Sequence, residues 1–415
     1  MPVMPALTST RGRLDDARTG SRAVSRGPDP FPRLSEPAAV ADLVVRPVTS
    51  RSEQRRFIRL PWDIYRGDPH WVPPLIHSQK ALLGFLPHPF YRRAEARSFL
   101  ASRGGADVGR ITAIVNHAHN ERFGERRGFF GFFECRDDAA AARALFGAAR
   151  DWLHGRGMTC VRGPANPSLN YEAGLLVDAF DKPPTFMTTY NPDWYPRLVE
   201  ENGFVKVQDM YAFWGEVPML AKQDPKLKQM RDAVLERFRV TLRKLDRSRF
   251  KDEVKLYFEI YNGSMQATWG FVPFSEAEIL HLADELRHLI VRDLAVVAEV
   301  DGKPVGTTFA LLDYNPRVRA IGGRLLPFGL FRLLWNKRAI KNVRLVTANV
   351  VPEFQAWGIG LVLLDALVPA VLEWGIREAE FSWILESNQL SRGSLERGGA
   401  IRTKTWRMYQ DDQPA

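Results

Sequence analysis

The chain has 415 residues, 45% apolar and 26% charged, a globular composition long enough for roughly two or three domains. Lys and Arg number 58 against 48 Asp and Glu, a net charge of +10 that suits an anionic partner (a coenzyme, a nucleic acid or an acidic membrane surface) without choosing among them. Two cysteines, Cys135 and Cys160, exclude a disulfide scaffold and a four-cysteine zinc ribbon and fit a reducing compartment, and no charge-free apolar window is long enough to span a bilayer.

Residues 1–38 are rich in Arg, Ser, Gly and Pro and poor in large apolar groups, so a disordered tail is expected there. Asp15, Asp16 and Asp29 argue against a transit peptide, and no apolar run of a secretion signal is present, so a cytoplasmic location is expected. Leu43–Val48 reads as a strand and Arg51–Leu60 as a helix. Ser98–Ser102 and Val108–Val115 form a strand pair about a Gly104-Gly105 turn. Gly128–Cys135 is an aromatic strand, and Ala139–His154 an Ala-rich amphipathic helix stopped by Gly155 and Gly157. Met158–Arg162 is a strand, Trp194–Asn202 a helix ended by Gly203, and Val205–Trp214 closes the first set.

The second half repeats this order. Arg239–Leu245 is a strand and Glu253–Asn262 a helix. Leu294–Val300 and Val305–Leu312 pair about Asp301-Gly302-Lys303. Arg344–Val351 is a strand, Gly358–Trp374 a strongly apolar helix, Glu380–Leu385 a strand, Gln389–Arg397 a helix and Ile401–Tyr409 the last strand. Val108-Gly109 matches Val305-Gly306, and Gly203 matches Gly399, at nearly one spacing. The expected division is a tail (1–38), a first α/β module (39–215), a helical connector (216–236) and a second module (237–415).

Only the second module carries a glycine loop, Gln355-Ala356-Trp357-Gly358-Ile359-Gly360, between a β-branched strand and the apolar helix. Such a loop either brings backbone N–H groups and a helix dipole to a pyrophosphate or is simply a tight turn. It lacks the spacing of a dinucleotide fingerprint and the Gly-Lys-Ser/Thr of a Walker loop. In the first module the corresponding run is Phe133-Glu134-Cys135-Arg136-Asp137-Asp138, with no glycine and three acids that would repel a pyrophosphate.

Strand, loop and helix together, with the flanking strands, resemble the GCN5-related N-acetyltransferase superfamily. That resemblance implies two tandem acyl-CoA N-acyltransferase folds of α/β (α+β) class, each a mixed, mostly antiparallel twisted sheet flanked by helices. It implies acyl-CoA as cosubstrate, with coenzyme contacts at Val351, Gln355, Trp357, Gly358, Ile359 and Gly360 and with Asn388 beside the pantetheine arm. Further runs, Gly163-Pro164-Ala165-Asn166-Pro167-Ser168-Leu169-Asn170-Tyr171-Glu172, Thr188-Thr189-Tyr190-Asn191-Pro192, Trp269-Gly270-Phe271-Val272-Pro273 and Glu386-Ser387-Asn388, resemble tandem-domain members that include bacterial ceramide synthases. This implies transfer of a long-chain acyl group to the amine of a sphingoid base such as 3-oxosphinganine. A small amine or a protein lysine as acceptor, and a non-catalytic acyl-CoA-binding scaffold, stand as alternatives.

N-acylation needs a base for the ammonium. Glu386, at the end of a strand expected to line the thioester cleft, is the candidate; its alternative role is capping the helix that starts near Asn388. The superfamily's usual tyrosine acid is replaced by Leu395. Asn170, Tyr171, Glu172, Asn191 and Trp269 are candidate acceptor-site residues, or else turn and core residues. Residues 321–341 are apolar, basic and broken by Pro and Gly; they read as a peripheral contact with a membrane interface or as a buried crossover helix. His117 and His119 have no third ligand at metal spacing, and no metal is expected. The basic residues form no nucleic-acid reading element, so no specific nucleic-acid partner is expected.

Overall fold

The computed structural model describes residues 42–217 and 225–411; the expected tail, 1–38, lies outside them. The first half runs β1 (Leu43–Pro47), α1 (Arg51–Ile64), α2 (Ile76–Leu82), β2 (Ala94–Arg103), β3 (Ala106–Asn116), α3 (His117–Phe123), β4 (Arg127–Cys135), α4 (Ala139–His154) and β5 (Cys160–Gly163). Three short strands follow, β6 (Ala165–Asn166), β7 (Glu172–Ala173) and β8 (Leu175–Leu176), then α5 (Tyr195–Glu200) and β9 (Val205–Glu216). The second half runs α6 (Pro225–Arg237), β10 (Val240–Lys244), α7 (Phe250–Ser264), α8 (Glu276–Leu286), β11 (Ala295–Val300), β12 (Lys303–Leu312), α9 (Asn315–Ala320), α10 (Gly329–Leu334), β13 (Asn342–Val350), α11 (Ile359–Glu373), β14 (Glu378–Leu385), α12 (Gln389–Arg397) and β15 (Ile401–Asp411).

Local signals explain the helices. Ser50 and Glu53 close a capping box at α1: the Ser50 N–H donates to the Glu53 carboxylate at 2.8 Å, and the Glu53 N–H to Ser50 Oγ at 3.2 Å. Ser275 and Glu278 do the same at α8, a helix the periodicity reading passed over although this signature precedes it. Helix α4 buries Ala142, Leu145, Phe146, Ala149 and Leu153, one apolar stripe at helical spacing.

The main sheet has the order β1-β2-β3-β4-β5-β15-β9-β14-β13-β12-β11-β10, with β8 also paired to β15. The order is palindromic about the β15/β9 pair, so the repeat seen in the sequence is also a repeat in space. Val205–Glu216 does not close the first set beside β5, as the linear order suggests. The chain's last strand borders β5, through Tyr409↔Gly163, while β9 borders β14, through Phe381↔Phe213. Side chains follow the exchange: Tyr409 packs with Leu145 and Phe146 in the first core, and Phe213 packs with Ile359 and Leu363 in the second. Each half is therefore completed by a strand of the other, and the paired strands β9 and β15 leave no open edge between them.

Candidate active site

Among the described residues two strand pairs are parallel, β4/β5 and β13/β14, and both are forked. Strand β13 pairs with β14 from Asn342↔Glu378 to Leu345↔Phe381. Beyond Leu345, β13 stays with β12 and β14 stays with β9, through Ile384↔Tyr211. The backbone between them opens, and Val346, Thr347, Ala348 and Asn349 face Ser382, Trp383, Ile384 and Leu385 across a cavity of about 1870 Å³.

The glycine loop stands at the open end of this fork. Residues 352–357 make a two-turn 3₁₀ segment, Gly358 adopts φ +82°, and α11 starts immediately after it. Only glycine takes that conformation without strain. No side chain caps α11, so its first N–H groups are left for a ligand. A side chain at Gly360 would meet nothing within 4 Å, so that face of the helix start is open. The Gln355 amide donates to the Val350 carbonyl at 3.0 Å and pins the loop to the strand. Gln355, Gly358 and Gly360 line the cavity, and so does Asn388, whose Oδ1 caps α12 by accepting from the Ser391 N–H at 3.1 Å.

Three of the expected coenzyme contacts lie outside the cavity wall. Trp357 stacks on Phe238 with centroids 4.1 Å apart, Ile359 is fully buried in the core, and the Val351 N–H donates to the Val305 carbonyl at 2.9 Å. Their apolar or β-branched character serves packing beneath the loop.

The acceptor-side residues, distant in sequence, enter the same cavity. Asn170, Tyr171, Glu172, Asn191 and Trp269 all line it. Asn170 Nδ2 donates to the Val272 carbonyl at 2.7 Å and the Tyr171 hydroxyl to Glu278 at 3.0 Å, so this loop ties the two halves together. The Asn191 amide is committed to backbone, accepting from Leu176 N–H at 2.7 Å and donating to its carbonyl at 3.1 Å. Trp269 lies under the Arg162 guanidinium, 4.7 Å from its carbon to the ring centre.

Glu134, Glu172 and Glu285 are wall acids raised by burial, and Glu172 is the one that faces the Arg344 charge. Burial pushes its carboxyl up to about 7, against the opposing pull of the Arg344 charge. Arg344, 4% exposed, sits one residue before the last paired position of the fork. It donates to the carbonyls of Ser382, Phe186 and Met187 and to Ser382 Oγ, and stands 5.1 Å from the Trp383 ring centre. Burial lowers it to about 10, so it remains a cation at neutral pH. The Trp383 indole N–H is buried without a partner among the described residues. It is a donor left over at the fork. Asp313, pushed up to about 6 by burial, and the Glu380–Lys404 ion pair of 3.2 Å complete the buried charges around Arg344. Arg344 and Trp383 carry no local sequence signal, because their importance lies in where the fork opens.

Glu386 is placed differently. Its carboxylate bonds Lys206 at 2.9 Å, is 38% exposed and does not line the cavity. The Lys206 ammonium holds it below the usual carboxylate range. Nor does it cap α12, which Asn388 does.

The first fork is closed by its own chain. Strand β6 enters it: the Phe132 N–H donates to Asn166 Oδ1 at 2.6 Å, and a Cβ on Gly131 would come within 1.9 Å of the Ala165 carbonyl. Asp138 caps α4 by accepting from the Ala141 N–H at 3.0 Å and pairs with Arg103 at 2.9 Å. A carboxylate of the chain thus stands where an external anion would bind. Glu134, the first of the three acids, accepts from the Tyr65 and Tyr195 hydroxyls at 2.8 Å each, and Asp137 pairs with Arg197. No group of three or more His, Cys, Asp or Glu side chains among the described residues is arranged to hold a metal, and no helix is long and apolar enough to cross a membrane.

No protein-family model matches the chain. It is 36% identical over 381 residues to the bacterial ceramide synthase of Caulobacter vibrioides, covering 89% of this chain and 97% of that one. It is 35% identical over 373 residues to protein YghO of Escherichia coli, covering 88% and 95%. Among solved structures, a tandem GNAT protein of the clavulanic acid pathway matches 90% of this chain and 100% of its own, with a TM-score of 0.55 and 14% identity. A GCN5-related N-acetyltransferase from Sphaerobacter thermophilus matches 90% and 96%, with a TM-score of 0.50 and 13% identity.

Proposed function

The chain belongs to the family of the Caulobacter bacterial ceramide synthase and of YghO, and on that premise we propose that it is an acyl-CoA-dependent N-acyltransferase whose acceptor is the amine of a sphingoid base. The observation that carries the proposal is one cavity that joins an open fork and an uncapped helix start to the acidic loop around Glu172. In this reading the pyrophosphate lies on the N–H groups after Gly358, the pantetheine arm in the β13/β14 fork, and the amine on the Glu172 side. The volume of about 1870 Å³ exceeds the roughly 300–1000 Å³ of ordinary small-ligand pockets and suits long chains better than a small amine.

Glu172 is the proposed base. An acid poised near 7 is half ionised at neutral pH, where it takes a proton from the ammonium most effectively. The freed nitrogen attacks the thioester carbonyl carbon; the C–N bond forms, the C–S bond breaks, and the electron pair leaves on sulfur. The unpartnered Trp383 N–H is the donor for the carbonyl oxygen, and the Arg344 cation lowers the energy of negative charge at the fork. As the amide forms, the nitrogen sheds its second proton, and with Leu395 in place of the usual tyrosine, water relays that proton to the thiolate. The palindromic sheet supports a first module of residues 39–215 that shapes the acceptor side, a connector of 216–236 and a coenzyme-binding module of 237–415. The same reading has the enzyme in the cytoplasm, touching a membrane peripherally through residues 321–341, with no specific nucleic-acid partner.

The test is free-thiol release from palmitoyl-CoA and from acetyl-CoA, each with and without 3-oxosphinganine. Release only with palmitoyl-CoA plus the sphingoid amine is the expected result. Release with acetyl-CoA and another amine would keep the coenzyme and reject the lipid acceptor.

A further inference from the structure

The reaction proposed above leaves a product with two alkyl chains and no charge, and such a molecule needs a way out of the cavity. On the coenzyme side the wall between α11 and α12 carries Ser391, Ser394 and Arg397, a polar route suited to a nucleotide. Another part of the cavity wall, formed by leucines of the α10 segment, is apolar and reaches the surface at Leu330.

Five of the thirteen large apolar side chains exposed among the described residues fall within 326–335, so the exposure is concentrated rather than scattered: Leu326 82%, Phe328 69%, Leu330 46%, Phe331 61% and Trp335 63%. A patch of this kind marks an interaction site. The same segment turns its other side to the cavity, which Leu325, Leu330, Leu333 and Leu334 line. Leu330 does both, and so marks where cavity meets surface. Val72 to Leu75 of the first half form the facing lip, joined to this segment where the Ile76 N–H donates to the Gly323 carbonyl at 3.0 Å. The protrusion is held in place: the Arg317 guanidinium donates to the carbonyls of Leu333 at 2.9 Å and Asn336 at 2.7 Å, and to that of Trp335.

Charge identifies the partner. No Asp or Glu occurs from residue 314 to 352, and Arg324, Arg332 and Lys341 are exposed in the same segment as the aromatic residues, as is Arg338, which stands 3.7 Å from Glu373. Apolar side chains that insert, ringed by cations that meet headgroups, fit an anionic bilayer. We infer that the segment around α10 is the mouth through which the cavity exchanges lipid acceptor and product directly with an anionic membrane. The inference rests on the acyltransferase reading and adds the route by which its substrate arrives.

The test uses the full chain and its Phe328→Ser/Phe331→Ser/Trp335→Ser variant, none of whose altered residues lines the cavity. Flotation with phosphatidylglycerol vesicles is measured against phosphatidylcholine vesicles. Thiol release is measured with a long-chain sphingoid amine carried in the anionic vesicles, and with a short-chain acyl-CoA plus a water-soluble amine analogue. The expected result is flotation of the wild type with anionic vesicles and its loss in the variant. Vesicle-delivered turnover falls by about tenfold or more in the variant, while turnover of the soluble pair stays within about twofold. Failure of the wild type to float, or a variant that no longer floats yet keeps vesicle-delivered turnover, would overturn the mouth. Wild-type flotation with no thiol release from either pairing would overturn the transferase reading, and the lipid route with it.

Discussion

The amide of Phe132 donates to Oδ1 of Asn166 across 2.6 Å, with the two residues 34 positions apart in the chain. That bond lies inside the first fork, where the equivalent space in the second fork is open to ligand. The two halves share a topology, and this contact is one reason they do not share a function. The expected stoichiometry is therefore one coenzyme per chain, measured by titration calorimetry. Asn166→Ala leaves the Phe132 N–H unpaired and lowers stability by about 1–3 kcal/mol without creating a second site. Two coenzymes bound per chain would contradict this account of the first fork.

Gly360→Glu sets a carboxylate at the start of α11, where the site has open space. Repulsion of the coenzyme phosphates is expected to weaken binding by at least about tenfold, or ~1.4 kcal/mol, with the melting temperature unchanged. Gly358→Glu should bind as poorly but also melt earlier, because φ +82° strains any side-chain-bearing residue. Calorimetry with palmitoyl-CoA and thermal melts read both effects.

Glu172 and Glu386 make opposite predictions for one substitution. Glu172→Gln is expected to reduce turnover by on the order of 10²- to 10⁴-fold with little change in coenzyme affinity. Glu386→Gln loses only a half-exposed ion pair with Lys206, and turnover should change by less than about fivefold. The reverse order of effects would return the role of base to Glu386.

The pH profile of turnover follows from the same residue. Glu172 must be ionised to accept a proton, so the rate should rise with pH through about 7 and then level. Arg344→Met removes the cation that favours ionisation, so the rising limb should move to higher pH. A limb that stays in place would separate Arg344 from the base.

Stability on the acid side is expected to depend on buried histidines. His119 is 2% exposed between Phe123 and Phe129, and burial lowers it from 6.5 to about 4. The unfolded chain takes up this proton first. The contribution of the neutral ring is thus complete above about 6.5 and is lost as pH falls to about 4. The loss is at most ~3 kcal/mol. His88, also lowered to about 4, titrates in the same window. Glu172 has the opposite sign: its protonated form is favoured in the folded state, and that stabilisation is lost as pH rises through about 7. Melts from pH 7 to 4 should therefore be flatter for His119→Phe than for the wild type.

Local chemistry was legible in the linear chain. Turn glycines and the apolar stripe of α4 act within a few residues, so most of the strand and helix order could be read in sequence, α8 excepted, and the loop at Gly358 and Gly360 stood out by spacing. The repeat was visible for the same reason, since each module reuses the same short-range pattern. What the tertiary structure decided depends on partners far apart in the chain. Strands β9 and β15 exchange neighbours because sheet pairing is indifferent to sequence distance. Glu386 meets Lys206 from 180 residues away and is drawn from the cavity, while Glu172 is desolvated by walls from both halves. A carboxylate's acidity is set by the charges and water around it, and those are assembled only when the chain folds.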